Sequence, residues 1–222
     1  MYLAVDKTNK KEVVVKINAE LDMNDNEFAI MKDLSDKKLE GFPMVYSFGK
    51  IRGQPYIIQE KLGLSIKDIL KRNNRHFSLK CIISMGVRLV DLLERFHDQG
   101  YIHCDIKPDN IMIGDYMRDQ SLMNKLYLID FGISNRFLDE NGIHVPFEQN
   151  VSFKGNLIFS SKNAFAEVTL SRSDDIISLV YFLVFCVNSK QSWIDAERPI
   201  SDQYDEIARY KINTKPINFV NN

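Results

Sequence analysis

Along the chain the apolar positions first recur with a period of two and later with a helical period. Residues 2–5 and 13–17 are short β-branched or aromatic runs separated by the polar stretch 6–12, which predicts a hairpin. Residues 24–34 follow a run of capping residues and carry Phe28, Met31 and Leu34 at helical spacing, so a helix is expected there. Two more strands are expected at 44–49 and 56–59, with Gly53 and Pro55 marking the turn. Ser65, with Asp68 three residues on, predicts a short helix through Leu70. Ser78 predicts a long one, whose apolar positions 79, 82, 83, 86, 89, 90, 93 and 96 form one stripe that Gly100 ends. Residues 110–113 and 126–129 read as the arms of another hairpin, 134–157 as irregular, and 176–187 as a buried core helix. That last run is well short of the roughly 20 residues that span a bilayer. The pattern therefore predicts an α+β chain: a small strand-rich lobe, a hinge near 60–63, and a larger, mostly helical lobe.

Composition narrows the function classes. Of 222 residues, 45% are hydrophobic and 27% charged, the balance of a globular domain and not of a disordered chain. The net charge of -1 gives no general reason to bind nucleic acid or an anionic membrane. Cys81, Cys104 and Cys186 have no paired spacing and are odd in number, so free thiols and an intracellular setting, cytoplasmic and/or nuclear, are expected. The N-terminal residues lack the pattern of a secretory signal.

The strongest chemical signal is His103-Cys104-Asp105-Ile106-Lys107-Pro108-Asp109-Asn110, which fits H-x-D-x-x-x-x-N, with Asp130-Phe131-Gly132 at the end of the next expected strand. Asn110 and Asp130 are oxygen donors suited to magnesium, leaving Asp105 for an incoming hydroxyl. Phosphoryl transfer needs a positioner for the nucleophile and cations that spread phosphate charge. Lys107, two residues after Asp105, and Lys16, ending Val13-Val14-Val15, are the candidate cations, with Glu27 on the first helix as the partner of Lys16. His103 reads as a packed structural residue, and His76, His97 and His144 as surface or helix-end residues. Cys104 beside Asp105 is expected to be an unreactive thiol. The basic run Lys71, Arg72 and Arg75 reads as a solvated helix end.

With these residues in this order, the chain resembles the eukaryotic protein kinases and, within them, the casein kinase 1 family. The finer likeness lies in Leu62-Gly63-Leu64-Ser65-Ile66-Lys67-Asp68, in Phe77-Ser78-Leu79-Lys80, in Ser161-Lys162-Asn163 where other kinases have A-P-E, in Asp174-Asp175-Ile176-Ile177-Ser178-Leu179, and in Gln203-Tyr204-Asp205-Glu206-Ile207. The resemblance implies a two-lobed kinase fold over 1–222, with 1–62 the small lobe and hinge and 63–222 the large lobe. It implies a monomer that uses ATP and magnesium on protein serine or threonine hydroxyls. Glu60 and Leu62 would then offer hinge backbone to adenine behind Gln59 as gatekeeper. Val14, Met112 and Ile129 would enclose the ring, and Asp175 would tie down the catalytic loop.

Several positions depart from that family. No Gly-rich loop precedes Lys16, the first glycine being Gly41, and the chain stops soon after the segment at 203–214, so the first strand and the last helices of the fold are expected to be missing. Cys104 stands for the arginine of H-R-D, so switching by phosphorylation of 133–160 through that residue is not expected. Ile158 replaces an arginine associated with primed substrates, and Asn156 replaces the usual threonine after Gly155 while remaining able to hydrogen-bond Asp105. The alternative reading is a pseudokinase, a binding or scaffold module without efficient turnover. A small-molecule phosphotransferase shares H-x-D-x-x-x-x-N, but Lys107, D-F-G and S-K-N favour the protein branch.

Overall fold

The computed structural model describes residues 1–17, 25–73, 77–188, 194–195 and 197–214. Asn24, Arg75 and His76, which entered the sequence reading, lie outside the described residues. The chain divides into two compact units, one of Met1–Ile66 with Asp109–Gly132, the other of Lys67–Pro108 with Ile133–Asn222. The expected small lobe is thus joined by a later segment, 109–132.

In the first unit, β1 (Tyr2–Val5), β2 (Glu12–Ile17), β3 (Val45–Ile51) and β4 (Gln54–Glu60) form an antiparallel sheet in the order β1-β2-β4-β3. β3 and β4 turn through Arg52 and Gly53, both at positive φ, 51° and 82°, the geometry whose twist matches a two-residue hairpin. Pro55 lies inside β4 and not in the turn. The helix α1 (Asp25–Asp36) buries Ile30, Met31 and Leu34, each contributing on the order of 1.5–3 kcal/mol. The Ser35 hydroxyl accepts from the Val45 amide at 2.9 Å, which fixes where β3 begins. A second hairpin pairs β6 (Ile111–Ile113) with β7 (Leu126–Leu128). The segment after the hinge joins it: Gly63 N donates to Ile113 O at 2.9 Å and Ile113 N to Leu64 O at 3.0 Å. A Cβ on Gly63 would lie 2.6 Å from Gly114 O, so only glycine permits that approach.

The second unit is built on α3 (Leu79–His97) and α5 (Arg172–Asn188), with α2 (Ile66–Arg72), most of which belongs to it, α4 (Lys162–Phe165) and α6 (Tyr204–Asn213). Two-residue strands β5 (Tyr101–Ile102) and β8 (Asn135–Arg136) pair, the second lying in the stretch expected to be irregular. Ser78 caps α3 as expected, its side chain accepting from Cys81 N. The buried stripe of α3 differs from the expected one. Ile82, Gly86, Leu89, Leu93 and Phe96 are buried together with Met85, Leu92 and His97, while Leu79, Ile83 and Val90 are exposed. The phase is set by α5, because Leu183 lies 3.1 Å from where a Gly86 Cβ would be. The helix α5 is not buried all round: Leu179, Tyr181, Phe182 and Cys186 are inside, and Ile176, Val180 and Val187 are exposed. Among the described residues, no helix is long and apolar enough to cross a membrane.

Candidate active site

The first unit carries the residues expected to hold a nucleotide. The period of two along β2 puts Val14 and Lys16 on one face of the strand, and Val14 is the register partner of Gln59 on β4. Lys16 Nζ lies 2.5 Å from Glu27 Oε1 on α1 and 3.8 Å from Asp130 Oδ1. Glu27 is buried, whereas the Asp130 side chain is 46% exposed. Asn110 is buried, and its carbonyl accepts from Ile129 N at 3.0 Å, so the β6–β7 hairpin brings Asn110 and Asp130 to one end of a ladder. Asp130 has φ of 68°, a left-handed conformation that aspartate tolerates better than most residues.

Met112 bridges to Ser65, and Leu62 is buried beside the hinge. The main-chain N–H of Glu60 donates to Met44 O at 2.8 Å, and its carboxylate accepts from Met44 N at 3.4 Å. Lys61 bonds Glu12 at 2.7 Å and Asp115 at 3.0 Å, which raises its pKa, Glu12 contributing most. The hinge is therefore held by charges on both sides. Val14, Lys16, Glu27, Glu60, Leu62, Met112, Asn110, Ile129 and Asp130 all fall in this unit.

The second unit carries the loop around Asp105. Asp175, buried at the start of α5, accepts from His97 Nε2 at 2.9 Å and His103 N at 2.8 Å through Oδ2, and from Cys104 N at 2.8 Å through Oδ1. One carboxylate thus satisfies two loop amides and a histidine. His97 is the last residue of α3, one of the two places expected for it, and is buried there with Asp175 as its partner; His144 is exposed, as expected. Cys104 is held at φ of 66°. Its thiol is pushed well above the usual range, first by burial and then by the Asp175 charge, as suits an unreactive thiol. His103 is fully buried, and its Nδ1 accepts from Asp105 N at 3.2 Å, a structural role. Lys107 Nζ lies 2.5 Å from Asp105 Oδ2. Asn156 accepts from Ile158 N at 2.8 Å and so closes its own turn.

Two residues that sequence reasoning left without a role complete this unit. Asp174 is buried and accepts from Ser161 Oγ at 2.6 Å, Asn163 Nδ2 at 3.0 Å and Ser171 N at 2.7 Å. Ser171 and Asp174 stand in capping-box spacing, the one local signal that pointed to it. Lys211 is fully buried and donates to main-chain carbonyls of the same segment.

The protein kinase domain model matches residues 1–219. The chain belongs to the protein kinase family. Its α+β, two-unit architecture is that of this family, and kinase and transferase chemistry is what the family performs. A protein of Encephalitozoon cuniculi (strain GB-M1) described as "Probable casein kinase I homolog" is 29% identical over 208 residues, covering 92% of this chain. The kinase chain spans 63% of the length of that relative. Among the described residues, no group of three or more His, Cys, Asp or Glu could hold a metal ion. Magnesium in kinases needs only one or two carboxylates, the remaining ligands being water and phosphate. The hard oxygen donors of Asn110 and Asp130 fit that requirement.

Proposed function

We propose that the chain is an ATP-dependent serine/threonine protein kinase of casein kinase 1 type. The observation that carries this reading is the ammonium of Lys16, held by Glu27 and 3.8 Å from the half-exposed Asp130 carboxylate, three residues far apart in sequence. Lys16 would bind the inner phosphates of ATP, with Glu27 fixing its direction. Val14, Met112 and Ile129 would enclose the adenine, and Glu60 and Leu62 would offer it backbone groups. Asn110 and Asp130 would hold magnesium, which when bound neutralises phosphate charge. The acceptor hydroxyl oxygen bonds to the γ-phosphorus, the bond to the bridging oxygen of ADP breaks, and the hydroxyl proton passes to Asp105. Lys107, beside Asp105, carries positive charge toward the transferred phosphoryl.

Serine/threonine specificity and the casein kinase 1 type rest on Lys107, the S-K-N segment and the 29% identical relative. The free cysteines suit an intracellular protein. The experiment is transfer of labelled γ-phosphate to casein in magnesium, by the chain and by Asp130→Ala, with phosphoamino-acid analysis. Phosphoserine or phosphothreonine formed by the chain and lost in Asp130→Ala is the expected result. Transfer that survives in Asp130→Ala, or that gives phosphotyrosine, contradicts the proposal.

A further inference from the structure

Lys211 on α6 is an ionisable group that the proposed chemistry does not use. It is 1% exposed, and its Nζ donates to Ile158 O at 2.7 Å and Ser160 O at 2.6 Å. The same ammonium lies 4.4 Å from the centroid of the Tyr181 ring and 5.3 Å from that of Phe165. Lysine is rarely buried without such partners, since removing the charge from water must be offset by hydrogen bonds and aromatic faces. Burial pushes its pKa well below the usual lysine range, yet a neutral amine still has two N–H groups for two carbonyls.

The carbonyls belong to a stretch, 156–161, that has no helix or strand of its own to satisfy them. Asp174 holds the far end of this stretch through Ser161 and Asn163, so Lys211 on α6 and Asp174 on α5 fix adjoining points of it. Its near end is Gly155, at φ of 119°, where a Cβ would lie 2.9 Å from Cys104 O. The stretch therefore runs directly against the residue that precedes Asp105.

We infer that Lys211 is a positioning residue for the acceptor polypeptide: by fixing the main chain of Ile158 and Ser160 beside the Asp105 loop, it shapes the surface on which residues flanking the acceptor hydroxyl lie. The inference rests on the reading that Asp105 receives that hydroxyl. Without Lys211 two carbonyls lose their donor and the stretch rearranges. The nucleotide residues lie in the other unit and keep their contacts.

The test compares the full chain with Lys211→Met, Asp174→Asn and Asp105→Asn, measuring KM for casein, KM for ATP and kcat. Lys211→Met is expected to raise KM for casein about tenfold, because small misplacements of a positioned substrate are costly. Its KM for ATP should stay within about twofold, a split that general loosening of the fold would not give. If Lys211→Met does not melt cooperatively, Asp174→Asn, which loosens the adjoining residues at constant volume, is read in its place with the same expectation. Loss of transfer in Asp105→Asn with an unchanged KM for casein in Lys211→Met overturns this inference alone, as does an equal rise in both KM values. Transfer that survives Asp105→Asn, or is absent from the unaltered chain, overturns the reading of Asp105 and this inference with it.

Discussion

Lys16 in the first unit and Lys211 in the second are held in opposite ways. Lys16 answers to the Glu27 carboxylate and keeps 22% of its side chain in contact with solvent. Lys211 answers to two carbonyls and two aromatic rings and has almost none. A cation that must meet a ligand has to stay reachable and must not be fully neutralised by its own protein. A cation that shapes a loop can be sealed in, because its partners are permanent. On the reading proposed above, the first lysine serves chemistry and the second geometry.

The sharpest way to break that division is at Asp105. Asp105→Asn should lower transfer by about 10²–10⁴-fold, the usual range for removing a general base, with little change in melting temperature. A drop in stability of similar weight to the loss in rate would make Asp105 structural. Next in size is Asp175→Ala, which strands the amides of His103 and Cys104 and the ring of His97. Urea unfolding should show a loss of about 3–5 kcal/mol, as when a partner of buried groups is removed. A loss below about 1 kcal/mol would mean that the loop finds other acceptors.

The lysines themselves give the direct contrast. Lys211→Met should cost about 1–3 kcal/mol of stability by leaving two carbonyls without a donor. Lys16→Met combined with Glu27→Gln, which leaves no buried carboxylate without its cation, should cost less than about 1 kcal/mol, because Lys16 is partly solvated. Equal costs would erase the distinction. The smallest effect concerns Cys104, whose folded pKa is raised above the unfolded value. Its contribution is full below the unfolded pKa and is lost as pH rises through the folded one, so it weakens progressively above about pH 9. Unfolding of the chain beside Cys104→Ala from pH 7 to 10 should show the gap moving against the unaltered chain as pH climbs. Alkylation should reach the exposed Cys81 first, since Cys104 and Cys186 are buried and Cys186 is pushed up to about 12 by burial.

What could be read from the sequence follows the range of the forces involved. The hairpins and the Ser78 cap were legible because alternation, turn chemistry and caps act over a few residues. The phase of α3 was not, since its choice of Met85 and Leu92 over Ile83 and Val90 is made by α5, some ninety residues on. That His97 at the end of α3 is buried was not legible for the same reason, its partner Asp175 being distant in sequence. Lys16, Asp105, Asn110 and Asp130 could be singled out because phosphoryl transfer demands a spaced set of residue types. Lys211 stands in a family-like segment, Lys211-Ile212-Asn213-Thr214, that gave it no role, and only the fold reveals that it is buried.

The most direct measurement is calorimetric titration of magnesium ATP into the unaltered chain, Lys16→Met and Lys211→Met. The account predicts that ATP binds the unaltered chain, that Lys16→Met weakens binding by about tenfold or more, equal to about 1.4 kcal/mol, and that Lys211→Met binds as the unaltered chain does. Equal affinity in the unaltered chain and Lys16→Met would contradict it.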